Sequence, residues 1–176
     1  MQRPSSPPLD ENTIEGAVTI RRPVEEVFGF YRDFTNLPSF LGDVMAVKQV
    51  GPATFKWTIQ GPLGIRVNTT IKVTEVRPNK LIRYETVGVA GLKGSWEIHF
   101  ATGSEPGETE VRSVMKIPLG RLGRVALALI GKFPAEEQSS NLHRLKEVLE
   151  TGRVTDTSYS VAGKFAQPRS QHEPKK

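Results

Sequence analysis

Between two amphipathic helical stretches this chain carries a run of short alternating segments, each cut off by a Pro or Gly turn. The first helical stretch, Pro23–Leu41, follows one opening strand. The second closes the domain, near Gly123–Thr151. That order predicts an α+β fold in which a curved antiparallel sheet of six to seven strands wraps a long C-terminal helix. Such a shape encloses a cavity.

The individual segments carry the period of their expected structure. Ile14–Arg21 places Val18 and Ile20 on one face of an opening strand. Pro23 suits the first turn of a helix, where a missing N–H costs nothing. Val24, Val27, Phe28 and Tyr31 follow at helical spacing. A second short helix is expected over Asn36–Leu41, with Asn36 as its cap. Strands are then predicted at Val44–Val50, Thr54–Gln60, Ile65–Val76, Leu81–Val87, Lys93–Ala101 and Thr109–Ile117. In the last stretch Leu122, Val125, Leu129, Ile130 and Phe133 share one face. Pro134 then breaks the helix and opens a second segment. There Leu142, Leu145, Val148 and Leu149 make the buried stripe, and His143, Arg144 and Lys146 suit the C-terminal half of the helix.

The Pro- and Ser-rich residues 1–11 and the polar, basic-ended residues 153–176 read as disordered tails. One domain over residues 12–152 remains. There are no cysteines, which excludes disulfides, thiolate metal sites and a cysteine nucleophile. The longest apolar run, Val125–Gly131, is far short of the roughly 20 residues of a membrane span. The N-terminus lacks a signal-peptide core, so a cytoplasmic protein is expected.

The net charge is +5. Lys and Arg are scattered along the strands and interleaved with Glu, which argues against nucleic acid as a partner. The basic surface suits solvation, with weak contact to an anionic membrane surface as the alternative. Arg21-Arg22 and the Arg121/Arg124 pair are its candidates.

No catalytic constellation stands out. The three histidines, His99, His143 and His172, have no metal-ligand spacing, and His99 and His143 are expected to face solvent. No Gly-rich phosphate loop joins a strand to a helix. Neither a metal nor an organic cofactor is expected. The inward face is more informative. Phe55, Trp57, Tyr84 and Trp96 point inward, and the last three carry polar tips that want partners when buried. Thr69, Thr86 and Ser113 add hydroxyls, and Met115, Leu129 and Phe133 add apolar wall. These ten residues form the expected pocket lining. Ordinary core packing is the alternative for each. The inward face is expected to hold no Arg, His or carboxylate.

Val18-Thr19-Ile20, Pro23–Phe28, Asp33-Phe34 and Leu37–Leu41 resemble the opening of START-like (SRPBCC) domains. Leu142–Gly152 resembles the end of the polyketide cyclase/dehydrase branch, which also holds the coenzyme-Q-binding START proteins. The resemblance spans nearly all of residues 12–152. It implies a helix-grip fold with a hydrophobic tunnel between sheet and C-terminal helix. It also implies a hydrophobic ligand: a lipid, an isoprenoid quinone or a polyketide. No catalytic residue carries over. The expected function is non-catalytic binding or transport of such a molecule, between the sheet and the helix Leu122–Phe133. A polyketide aromatase/cyclase, with Tyr84 as its proton-transfer group, is the first alternative. A ribosome- or protein-interaction module is the second.

Overall fold

The computed structural model describes residues 12–87, 93–117, 123 and 133–166. The chain runs β1 (Thr13–Ile20), α1 (Val24–Arg32), a 3-10 segment (Phe34–Ser39), β2 (Val44–Gly51), β3 (Thr54–Gln60), β4 (Arg66–Arg77), β5 (Leu81–Thr86), β6 (Ser95–Thr102), β7 (Thr109–Lys116) and α2 (Pro134–Thr151). The strands form one antiparallel sheet in the order β1-β7-β6-β5-β4-β3-β2. The sheet is curved and grips the C-terminal helix, as the sequence order predicts. The first part of the expected helix, with Leu129 and the Arg121/Arg124 pair, lies outside the described residues. So do residues 1–11.

β1 and β2 are the two edges of the sheet. The chain between them must cross its whole width, and α1 with the 3-10 segment makes that crossing. Glu25 and Glu26 occupy the first turn of α1 and Arg32 its last, each sign matched to the helix dipole. Val27, Phe28 and Tyr31 form its buried face. Pro23 stands just before the helix as its cap rather than inside it. The second cap also differs from expectation. Asp33, not Asn36, caps the 3-10 segment by accepting from the Thr35 N–H at 3.0 Å. Asn36 is engaged elsewhere, donating through Nδ2 to the Phe30 carbonyl.

α2 lies along β1. Gly16 permits the approach: a Cβ there would stand 2.9 Å from Leu142 Cδ1. Gln138 fixes the same contact by donating to the Ser113 carbonyl at 2.7 Å. At the far end Glu150 accepts from Lys146 and from the Arg21 backbone, both at 2.8 Å. Burial alone would raise the Glu150 carboxyl, but the hydrogen bonds from Lys146 and Arg21 win and hold it at about 2.

Arg144 departs most from expectation. The sequence places it only as a basic residue suited to the C-terminal half of the helix, yet it is fully buried. Nε donates to the Phe40 carbonyl at 2.8 Å, Nη1 to the Ser158 carbonyl at 2.7 Å and Nη2 to Asn141 Oδ1 at 2.6 Å. The same Asn141 oxygen accepts from the Gly42 N–H. The tail boundary at 152 therefore needs correction. Residues 153–166 fold back over α2 as a strap. Val161 donates its N–H to the Gly42 carbonyl at 3.0 Å, and the Lys164 ammonium reaches the carbonyls of Leu41 and Val44. Gly42 is needed here, because a Cβ would meet the Tyr159 carbonyl oxygen at 2.6 Å.

Replacing Arg144 with Leu removes the side-chain donor to the Phe40 and Ser158 carbonyls, and leaves the Asn141 oxygen with the Gly42 N–H. Leaving a buried acceptor without its donor costs about 1–3 kcal/mol. Arg144→Leu should therefore destabilise the protein by about 3 kcal/mol or more in urea titration. Hydrogen exchange across 153–166 should lose its protection. An unchanged midpoint would show that the strap is not held in this way.

Candidate ligand-binding site

A cavity of about 320 Å³ lies between the sheet and the first turns of α2. Its sheet wall is built by side chains at alternate positions on neighbouring strands, which the pleat turns to one face. Trp57 on β3, Tyr84 on β5 and Trp96 on β6 contribute its rings, and Tyr84 pairs in register with Trp96. The Tyr84 and Trp96 rings stack at 5.3 Å, 11° apart, and Trp57 meets Tyr84 at 5.9 Å. Thr86, Ser113 and Met115 continue this wall. The rest of the lining comes from Phe40, from Val44 at the start of β2 and from the α2 residues Gln138, Asn141 and Leu142.

Six of the ten expected residues thus reach the cavity: Trp57, Tyr84, Thr86, Trp96, Ser113 and Met115. Three do not. Phe55 is buried beyond the cavity, where the Phe34 ring meets it at 4.8 Å. Thr69 stands across from Trp57 on β4, half-buried and off the lining. Phe133 precedes α2 and is 42% exposed, with its ring against Tyr159 at 6.3 Å. The tenth, Leu129, lies outside the described residues. The described helical wall is Pro134–Leu142; the expected helical wall, Leu122–Phe133, lies almost wholly outside the described residues.

The cavity also holds groups that strand alternation does not announce. Asp43 and Glu137 line it, against the expectation of no carboxylate. Gln138 has a legible signal: it stands one turn before Leu142 on the apolar stripe, and a polar residue there needs a buried partner. Tyr31 reads from the sequence only as core. Its hydroxyl lies 3.1 Å from that of Tyr84, joining α1 to the sheet at the cavity wall.

This tyrosine pair decides much of the chemistry. Burial pushes both phenols above their ordinary range, and at Tyr84 the neighbouring Tyr31 pushes further the same way. Both are neutral near pH 7, so they donate hydrogen bonds and do not act as bases. His99 and His143 lie outside the cavity, as expected. Each is paired with a glutamate, Glu97 at 3.3 Å and Glu147 at 3.8 Å. Among the described residues no group of His, Asp and Glu could hold a metal ion. None of the described helices is long and apolar enough to cross a membrane.

The sequence profile of the polyketide cyclase/dehydrase and lipid transport family matches residues 12–150. The chain belongs to that family. A comparison with curated proteins finds no match. Solved structures share the fold. A Deinococcus radiodurans protein is 25% identical with a TM-score of 0.62, covering 80% of this chain and 98% of that one. A START superfamily protein from Mycobacterium smegmatis is 14% identical with a TM-score of 0.58, covering 81% and 96%. DynU16, of the dynemicin biosynthetic locus, is 20% identical with a TM-score of 0.54, covering 80% of this chain and 48% of its own length. The family's description joins polyketide chemistry with lipid transport, and this chain carries an aromatic cavity where the sheet meets α2.

The buried pair yields a direct pH prediction. In an ultraviolet titration of the folded protein, Tyr31 and Tyr84 should remain un-ionised at pH 10, the ordinary tyrosine value. Their ionisation should appear only with unfolding at higher pH. Reversible ionisation of both below pH 10, in folded protein, would remove the assignment of neutral donors.

Proposed function

We propose that this protein binds and carries a hydrophobic small molecule without transforming it. The aromatic-walled cavity between sheet and α2 carries the reading. Its volume sits at the low end of the roughly 300–1,000 Å³ typical of small-molecule sites. That size favours a compact ring system, such as a quinone head or a polyketide-like ring, over a two-chain lipid. Affinity comes from burying ligand carbon against Trp57, Tyr84 and Trp96, at about 25 cal/mol per Å² before ordering costs.

The neutral state of the tyrosines, which gives them no basic oxygen near pH 7, supports carriage over catalysis. One observation favours the cyclase reading. A neutral phenol pair can polarise a ligand carbonyl, and a chain folded against this wall would be held in a reactive shape. Product analysis separates the two, because a carrier returns its ligand unchanged.

Trp57→Ala and Tyr84→Ala each delete a ring from the wall. Either should weaken binding of a naphthoquinone by about ten- to a hundredfold in calorimetric titration, because less ligand carbon is buried against an aromatic face. Circular dichroism should show an intact fold. Unchanged affinity in both folded variants would mean that the ligand sits elsewhere. Tyr84→Phe should leave the ligand chemically unchanged, like the native protein.

A further inference from the structure

Two side chains of the cavity hold a buried polar atom with no partner. Trp57 is 5% exposed and its Nε1–H meets no acceptor. An indole N–H can only donate. Gln138 is 7% exposed and its Oε1 meets no donor. The orientation of that amide is set by chemistry: the Ser113 carbonyl can only accept, so Nε2 must face it, at 2.7 Å. Oε1 is left over on the other side.

The remaining polar groups sharpen the pattern. Tyr31 and Tyr84 share one hydrogen between two hydroxyls, and the second hydrogen is left for another acceptor. Thr86 Oγ1 is already engaged with the N–H and carbonyl of Gly94. The sheet wall therefore offers spare donors, and the helix wall offers a spare acceptor. Among the described lining residues none is basic, and Asp43 and Glu137 are acidic. An anionic ligand would meet two carboxylates and no countercharge among the described lining residues, which is costly.

Resting on the reading of this cavity as a small-molecule site, we infer that its occupant is an uncharged ring compound with polar groups at two ends. A carbonyl oxygen faces Trp57 and the tyrosine pair. A hydroxyl faces Gln138. Free fatty acids and other carboxylates are rejected. Trp57 and Gln138 are then the specificity-determining residues, and the aromatic rings supply the bulk of the affinity.

Four bicyclic probes of similar size test this by calorimetry at neutral pH: tetralin, α-tetralone, a ring-hydroxylated α-tetralone and tetralin carboxylate. α-Tetralone should bind about tenfold tighter than tetralin, and the hydroxylated ketone about tenfold tighter again, one hydrogen bond per step. The carboxylate should bind more weakly than tetralin. Trp57→Phe keeps an aromatic ring and removes the N–H, so within that variant it should erase most of the ketone's advantage over tetralin, whatever the change in tetralin's own affinity. Gln138→Leu should erase the hydroxyl's advantage only. If that variant does not fold, the Trp57→Phe comparison decides alone. Tetralin binding as tightly as the hydroxylated ketone would overturn the inference and leave the apolar site standing, with water satisfying the two atoms. An unchanged ketone advantage in Trp57→Phe would overturn it equally. No binding of any probe would overturn both the inference and the site on which it rests.

Discussion

A seven-stranded sheet has more apolar face than one helix can cover. In this protein α2 is committed to the β1 edge, where Gly16 lets Leu142 approach and the Gln138–Ser113 hydrogen bond fixes the position. α1 and the 3-10 segment cover the other part of the face, where Phe34 fills the space over Phe55 and Tyr84. Between the two covers a volume is left that neither fills. The cavity follows from this geometry, and its walls are the inward residues of the strands that pass beneath it.

Polarity around that volume follows an equally strict rule. Buried polar groups in native proteins are nearly all paired. Arg144 shows the rule at work. A fully buried guanidinium is tolerable because backbone carbonyls, Asn141 and the Asp156 carboxylate surround it, and the strap 153–166 supplies two of those carbonyls, through Asp156 and Ser158. The same contacts tie the strap to the turn at Gly42, whose neighbours Leu41, Asp43 and Val44 border the cavity. Against that background Trp57 and Gln138 are exceptions, and both line the space where a ligand fits.

The fold is largely legible in the sequence because strand and helix periods differ. Alternation at Phe55, Trp57 and Ile59, and at Trp96, Ile98 and Phe100, names the inward face, and turn residues name the ends. The site is less legible because alternation says which face a side chain takes, not what covers it. Phe55 and Trp57 read identically, yet Phe34 fills the space over one and the cavity lies over the other. Thr69 misleads for a related reason: it lies across from Trp57 but does not reach the cavity. Arg144 and the strap escape altogether. A charged residue in a run of charges reads as solvated, and a polar segment with no period gives no hint that a buried cation holds it. Gln138 is the exception that pattern reasoning has the means to find, since it interrupts an apolar helical stripe.

The central claim is that the cavity holds a small hydrophobic molecule. The most direct measurement is native mass spectrometry of the protein purified from its own host, followed by extraction and identification of what accompanies it. The account predicts a stoichiometric, uncharged ring compound bearing oxygen, released unchanged on denaturation and absent from a folded Trp57→Ala variant. An empty protein that also ignores added quinones and neutral ring compounds would contradict it, and would return Trp57, Tyr84 and Trp96 to the status of ordinary core.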